Sequence, residues 1–132
     1  MVKAIVGANW GDEGKGKITD MLAEQSDVVI RFQGGANAGH TIINDYGRFA
    51  LHILPSGTFY PHVTNIIGNG VVIDAVLFRE EAEALAASGH DLTKQLCISK
   101  KAHLILPTHR MLDAAYEAAK GSAKIGTTGK GI

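Results

Sequence analysis

The sequence has 132 residues, of which 45% are hydrophobic, and its 13 Lys and Arg residues balance its 13 Asp and Glu residues. This length and composition allow one buried core, so we expect a single domain. The zero net charge excludes a general attraction to nucleic acid or to an anionic membrane. Because the N-terminal apolar run is too short for a signal peptide and no stretch approaches membrane-span length, we expect a cytoplasmic protein.

Strands and helices are predicted to alternate along the chain. The β-branched run Val2–Val6 predicts a buried strand, and apolar spacing predicts a helix over residues 15–25. A strand at residues 27–32 and a hairpin around the turn at residues 44–47 follow. Further strands are predicted at residues 63–68, 95–99 and 103–106. One more helix is predicted to begin after the capping residue Asp74 and to end near Gly89, and another to run through Leu112 and end at Gly121. This order favours an α/β fold with a mostly parallel sheet and flanking helices.

The first of three glycine-rich loops has the spacing of a phosphate-binding loop. Gly11 to Lys17 fits Gly-x-x-x-x-Gly-Lys between the first strand and the first helix. Backbone N–H groups there can approach an anion, and Lys15 and Lys17 can neutralise phosphate oxygens. The alternative is that the glycines serve tight packing alone. With the alternating strands and helices, this loop favours a fold like that of P-loop nucleoside triphosphatases.

The hydroxyl that normally ends this motif is missing, because Ile18 stands in its place. That hydroxyl usually holds Mg²⁺ at the nucleotide phosphates. Asp12, inside the loop, is a hard oxygen donor that can supply the metal contact instead. The alternative is a solvent-facing carboxylate or a helix cap.

The second glycine-rich loop, Gly34–Thr41, contains His40, which can act as an acid or as a hydrogen-bond donor to an oxygen that gains charge. The other five histidines are predicted to be structural, and Cys97 is predicted to be a small buried residue. The third loop, Gly126–Ile132, stands at the end of the sequence, from which we expect the N-terminal part of a longer protein.

These loops, with "LHILPSG" and "IIGNGVV", resemble the adenylosuccinate synthetase family, whose members join IMP to L-aspartate with GTP. The resemblance runs from Ala4 to Ile132 and implies that residues 1–132 are the N-terminal part of a single GTP-dependent ligase domain, incomplete without its C-terminal part. It also implies a cytoplasmic homodimer. Guanine recognition, the aspartate-holding loop and an arginine donated across the dimer would lie beyond Ile132.

The resemblance implies roles for residues in all three loops. Asp12 would be the catalytic base and a Mg²⁺ ligand, His40 the acid, and Lys15 a charge partner of the transferred phosphoryl group. The carbonyl of Gly39 would be the second metal ligand. The GTP phosphates would lie along Gly11, Asp12, Glu13, Gly14, Lys15, Gly16, Lys17, Gly39, His40 and Thr41. IMP would be bound by Asp12, Glu13, Gly14, Lys15, Asn37, Ala38, Gly39, His40 and Thr128.

Lys130 departs from the family pattern, since arginine is usual there, and lysine keeps the charge but loses the planar fork. Two other functions remain open at this point. One is a GTP-binding switch or simple GTPase, disfavoured by the missing hydroxyl and by the absence of an Asn-Lys-x-Asp motif. The other is a catalytically silent fragment that binds nucleotide.

Overall fold

The computed structural model describes residues 1–8, 14–37, 39–44 and 47–132. Its helices are α1 (Lys15–Ala23), α2 (Ala75–Ala87) and α3 (Pro107–Ala119). Its strands are β1 (Val28–Gly34), β2 (His40–Asn44), β3 (Gly47–Leu51), β4 (Thr64–Ile73), β5 (Leu96–Ile98) and β6 (His103–Leu104). Short 3-10 turns lie at Ser56–Phe59, Leu92–Lys94 and Gly121–Ala123.

The parallel sheet is built around β4, which pairs with β1, β5 and β6, always in parallel. Ile66 of β4 lies between Ile30 of β1 and Cys97 of β5. Parallel neighbours need a crossover connection, and α2 lies in the connection from β4 to β5. The predicted α/β fold with a mostly parallel sheet and flanking helices is confirmed.

The predicted hairpin is also present. Strands β2 and β3 pair antiparallel, with His40 opposite Leu51 and Asn44 opposite Gly47. Asp45 and Tyr46, in the predicted turn, lie outside the described residues.

The core is formed where α2 and the segment from Leu51 to Phe59 pack on the sheet. Ile53 is fully buried against Ile67 and Val71 of β4, and Leu85 of α2 packs with Leu54. Asp74 caps α2 as predicted, because its Oδ1 accepts hydrogen bonds from the N–H groups of Val76 and Leu77. No helix in the described part of the chain has the length and apolarity needed to cross a membrane.

Three sequence predictions are wrong. Val2–Val6 forms no strand, and Val2 is 97% and Val6 70% exposed. A strand needs a neighbouring strand for its hydrogen bonds. Among the described strands β1 pairs with β4 alone, and no strand pairs with Val2–Val6.

The other two errors concern the second loop and Cys97. The second loop is shorter than predicted, because Gly34 ends β1 and His40 and Thr41 begin β2; strand pairing continues across these residues. Cys97 is exposed, since it lies on a three-residue strand that pairs with β4 alone among the described strands.

Candidate functional site

A cavity of about 470 Å³ lies where the first two glycine-rich loops meet. Gly14, Lys15 and Gly16 line it from the start of α1, and Gly39 lines it from the second loop. Its remaining lining residues come from β1 and from the buried segment that follows β3: Val29, Ile30, Arg31, Phe32, Gln33, Leu54, Pro55 and Ser56, with Thr19 of α1. The fold therefore brings together four of the residues predicted to bind nucleotide.

The start of α1 gives this cavity a positive end. Gly14 precedes the helix in the left-handed region, with φ of 79°, which glycine adopts without steric cost. Its carbonyl accepts the hydrogen bond from Ile18 N at 3.2 Å that closes the first helical turn. No acidic residue lies in that turn, so the helix dipole and Lys15 act in the same direction on an anion in the cavity.

The hydroxyl of the neighbouring Thr19 is hydrogen-bonded within its own helix. Thr19 Oγ1 donates to the carbonyl of Lys15, at 2.8 Å, within its own helix. Its hydroxyl proton is thus committed to the backbone. Among the described residues, no group of three or more His, Cys, Asp or Glu side chains is placed to hold a metal ion.

Gly39 lies against the ring of His52. A Cβ built on Gly39 would be 2.7 Å from both Cδ2 and Nε2 of that ring, closer than carbon atoms tolerate. Only glycine therefore fits between the ring and the cavity without a shift. No pattern in the sequence distinguishes His52 from the other histidines.

Glu81 of α2 fixes the segment that carries His52. Its carboxylate is buried and accepts hydrogen bonds from three consecutive backbone amides: His52 at 2.7 Å, Ile53 at 3.1 Å and Leu54 at 3.1 Å. One carboxylate thus satisfies three consecutive donors that have no strand partner. Glu81 Oε1 also lies 3.3 Å from His52 Nδ1.

Arg31 of β1 ties the same segment to the second loop. Its guanidinium donates to the carbonyls of His52 and Gly35, the second at 2.8 Å. Burial lowers the pKa of Arg31, and the charge of Glu81 raises it; an arginine so placed stays protonated at neutral pH. Arg31 and Lys15 both line the cavity, so two cationic residues contribute to its wall.

The third loop does not line this cavity. Gly129 and Lys130 line a second cavity of about 350 Å³ with His52, Asp74, Val76, Leu77, Glu80 and Arg110. Arg110 is paired with Asp74 across this second cavity. Thr128 is exposed, and it lines neither cavity.

The other predicted residues are only partly described. Lys17, Asn37 and Thr41 are exposed and do not line the first cavity. Gly11, Asp12, Glu13 and Ala38 lie outside the described residues. His40 was predicted to lie in the second loop, but it begins β2, because its backbone pairs with Leu51. Its side chain lies outside the description.

Sequence reasoning missed Arg31, His52 and Glu81. A signal for Glu81 was present, since it shares helical spacing with the apolar Phe78 and Leu85, and a carboxylate on an apolar stripe indicates a buried acceptor. A signal for Arg31 was its position inside an apolar strand. No local signal marked His52, because its contact with Gly39 depends on the fold.

A parallel sheet with flanking helices, with Gly14 and Lys15 at the N-terminus of α1, defines an α/β protein with a helix end suited to an anion. The sequence model of the adenylosuccinate synthetase family matches residues 4–132, and the chain belongs to this family.

Individual relatives agree with this family membership. The chain is 66% identical over 131 residues to adenylosuccinate synthetase of Parabacteroides distasonis and 65% identical to that of Porphyromonas gingivalis, covering 99% of this chain. It spans about a third of the length of these curated relatives, 31% in each case.

Two solved structures share the fold. A fully ligated adenylosuccinate synthetase from Plasmodium falciparum superposes with a TM-score of 0.84 at 47% identity, covering 96% of this chain and 30% of that one. A cyanophage S-2L succinoaminodeoxyadenylate synthetase, bound to dGMP and to dATP as an energy donor, gives a TM-score of 0.65 at 29% identity. It covers 80% of this chain and 30% of that one.

Proposed function

We propose that this chain is the N-terminal part of a single ligase domain that joins IMP and L-aspartate to form adenylosuccinate, GDP and phosphate, with GTP as co-substrate. Family membership supports the reaction class. The observation that carries the proposal is the cavity in which Gly14, Lys15 and Gly16 meet Gly39, because it joins the two loops that the reaction needs.

Asp12, Lys15 and His40 perform the phosphoryl transfer in this proposal. Asp12 removes the N1 proton of IMP, which makes the 6-oxygen nucleophilic towards the γ-phosphate of GTP. Lys15 offsets the charge on the transferred phosphoryl oxygens, and His40 acts as acid and hydrogen-bond donor to them. The amine of aspartate then displaces phosphate from the 6-phosphoryl intermediate, since phosphate is a far better leaving group than the original oxygen.

The backbone of the first two loops holds the nucleotides. Gly11–Lys17 and Gly39–Thr41 follow the GTP phosphates, while Asn37, Ala38 and Thr128 complete the contacts to IMP. The positive end of α1 and the charge of Arg31 support phosphate binding at this place.

The donors that the family offers to Mg²⁺ are the Asp12 carboxylate and the Gly39 carbonyl. The described part of this site fits such an ion, because Gly39 lines the cavity beside Lys15 and both donors are hard oxygens. When bound, Mg²⁺ would neutralise charge on the phosphate oxygens. The contact of Gly39 with the ring of His52 would help to position the Gly39 carbonyl as a metal ligand.

We also propose that the enzyme is a cytoplasmic homodimer that binds small molecules and neither nucleic acid nor membranes. The balanced charge supports the absence of a nucleic acid partner.

The test is phosphate release from GTP by the longest natural polypeptide that contains this sequence, with IMP and aspartate omitted in turn. We expect release to require IMP, and adenylosuccinate to form only when aspartate is added. Release that is indifferent to IMP would favour a simple GTPase, and no release at all would favour a silent nucleotide-binding protein.

Two variants test the assigned residues. Asp12→Asn is expected to abolish turnover, and His40→Asn to lower kcat by at least about 100-fold, the lower end of what general acid catalysis contributes. Asp27→Asn and His103→Asn, at exposed positions away from the cavity, are the matched controls. Near-normal activity of Asp12→Asn would contradict the base assignment.

A further inference from the structure

The third glycine-rich loop is held on one side by two carboxylates of α3. Asp113 accepts hydrogen bonds from Thr127 Oγ1 at 2.8 Å and from Gly131 N at 3.1 Å. Glu117, one turn further along the same face, accepts from Gly126 N at 2.9 Å. The loop therefore bends around a pair of carboxylates.

The fit of the loop against α3 is close. Gly131 has φ of 71°, and a Cβ built on it would be 2.8 Å from Arg110 N and from the carbonyl carbon of His109. The loop backbone thus touches the first turns of α3 at one end, while Glu117 holds its other end. Hydrogen bonding of this kind also lowers the pKa of Glu117, mainly through the N–H of Gly126.

Lys130 holds the opposite side of the loop. Its Nζ donates to the carbonyl of Ala36 at 2.8 Å, and Ala36 is a fully buried residue of the second loop. Ala36 precedes Asn37, and Lys130 follows Thr128 by two residues. This hydrogen bond joins the third loop to the second, next to the side chain of Ile132, which packs against Gly35.

We propose that Asp113, Glu117 and Lys130 form a clamp of positioning residues that holds Thr128 towards Asn37, so that the two loops meet IMP with one fixed spacing. The proposal rests on the proposed function, since it assumes that these two loops bind IMP. It also gives a role to the lysine that replaces the usual arginine. A single carbonyl needs one donor, which lysine supplies without the planar fork.

The clamp acts on binding rather than on the stability of the fold. No residue of α3 is buried, and residues 121–129 are exposed, so loss of one clamp contact removes little apolar packing. Misplacing a substrate contact by about 1 Å can nonetheless cost up to about 100-fold in rate. A variant of the clamp should accordingly weaken IMP use without unfolding the protein.

The kinetic test compares Lys130→Met and Lys130→Arg with the unmodified longest natural polypeptide. We expect Lys130→Met to raise the KM for IMP about tenfold while the KM for GTP changes less than about twofold, because only one substrate contact is displaced. Lys130→Arg, which restores a donor of similar reach, is expected to return the KM for IMP to within about threefold. Lys124→Met is the control, since Lys124 is exposed just before the loop.

Amide hydrogen exchange gives a second measurement that does not use IMP. The N–H of Gly131 should lose protection in Asp113→Ala, and the N–H of Gly126 should lose it in Glu117→Ala, since alanine removes the acceptor. A wild-type protein that binds no IMP overturns the proposed function and the clamp together. A wild-type protein that uses IMP, with an unchanged KM for IMP in Lys130→Met, overturns the clamp alone.

Discussion

Gly39 is a residue whose identity is explained by a neighbour rather than by its own backbone. The ring of His52 occupies the space where a side chain would be. We predict that Gly39→Ala pushes the loop away from the ring and lowers GTP-dependent activity by about tenfold, a loss typical of a displaced site group. Steady-state assays of the longest natural polypeptide measure this.

The double variant decides whether His52 is the cause. Removing the ring in Gly39→Ala/His52→Ala should restore most of the lost activity, and His52→Ala alone shows what the ring itself contributes. If the double variant instead lost as much activity as the two single variants together, the contact with His52 would not be the reason why residue 39 is glycine.

Asp20 is a carboxylate whose partial burial lowers the stability of the folded protein at neutral pH. It is half-buried on α1, its Oδ1 has no hydrogen-bond partner among the described residues, and burial raises its pKa. A raised pKa in the folded state means that the folded protein holds the proton more tightly. Stability is then greatest below the usual carboxyl pKa of about 4 and falls as the pH rises through the raised value.

We therefore predict that Asp20→Asn raises the melting temperature at neutral pH and that the gain shrinks as the pH is lowered towards that range. Thermal unfolding followed by circular dichroism at several pH values measures it, with Asp27→Asn as the exposed control. A gain that is independent of pH would show that the charge of Asp20 is not responsible.

At the scale of elements, α2 is more than a crossover between β4 and β5. Through Glu81 it supplies the hydrogen-bond acceptors for His52, Ile53 and Leu54, which no strand supplies. Glu81→Ala would leave these amides unsatisfied, and each buried unsatisfied donor costs about 1 to 3 kcal/mol. We predict a loss of about 3 kcal/mol or more in the free energy of unfolding, measured by urea titration.

Glu83 provides the matched control on the same helix. Its side chain is 71% exposed and pairs with Arg79 at 3.7 Å, so Glu83→Ala should change stability by less than about 1 kcal/mol. Equal urea midpoints for the two alanine variants would contradict the role of Glu81.

For the whole molecule, periodicity and turn residues were enough to predict most of the fold. The apolar spacing that predicts α1, α2 and α3, and the cap at Asp74, depend on local sequence, and the structure has them. The prediction of a strand at Val2–Val6 failed because a strand needs a partner strand, which sequence periodicity does not report. That Lys15 and Gly39 stand at one cavity was implied by the family resemblance rather than by periodicity, whereas the positions of Glu81 and Lys130 depend on contacts between distant segments.

The hydrogen bond from Lys130 to Ala36 also has a consequence for the order of folding, because it joins residues 94 positions apart. The entropy cost of closing a loop increases with its length, so contacts as local as the hairpin of β2 and β3 close first. We expect the spacing between the second and third loops to be set late, after the sheet that carries them has formed. During synthesis, a nascent chain would therefore acquire its first glycine-rich loop long before the loop that completes the contacts to IMP.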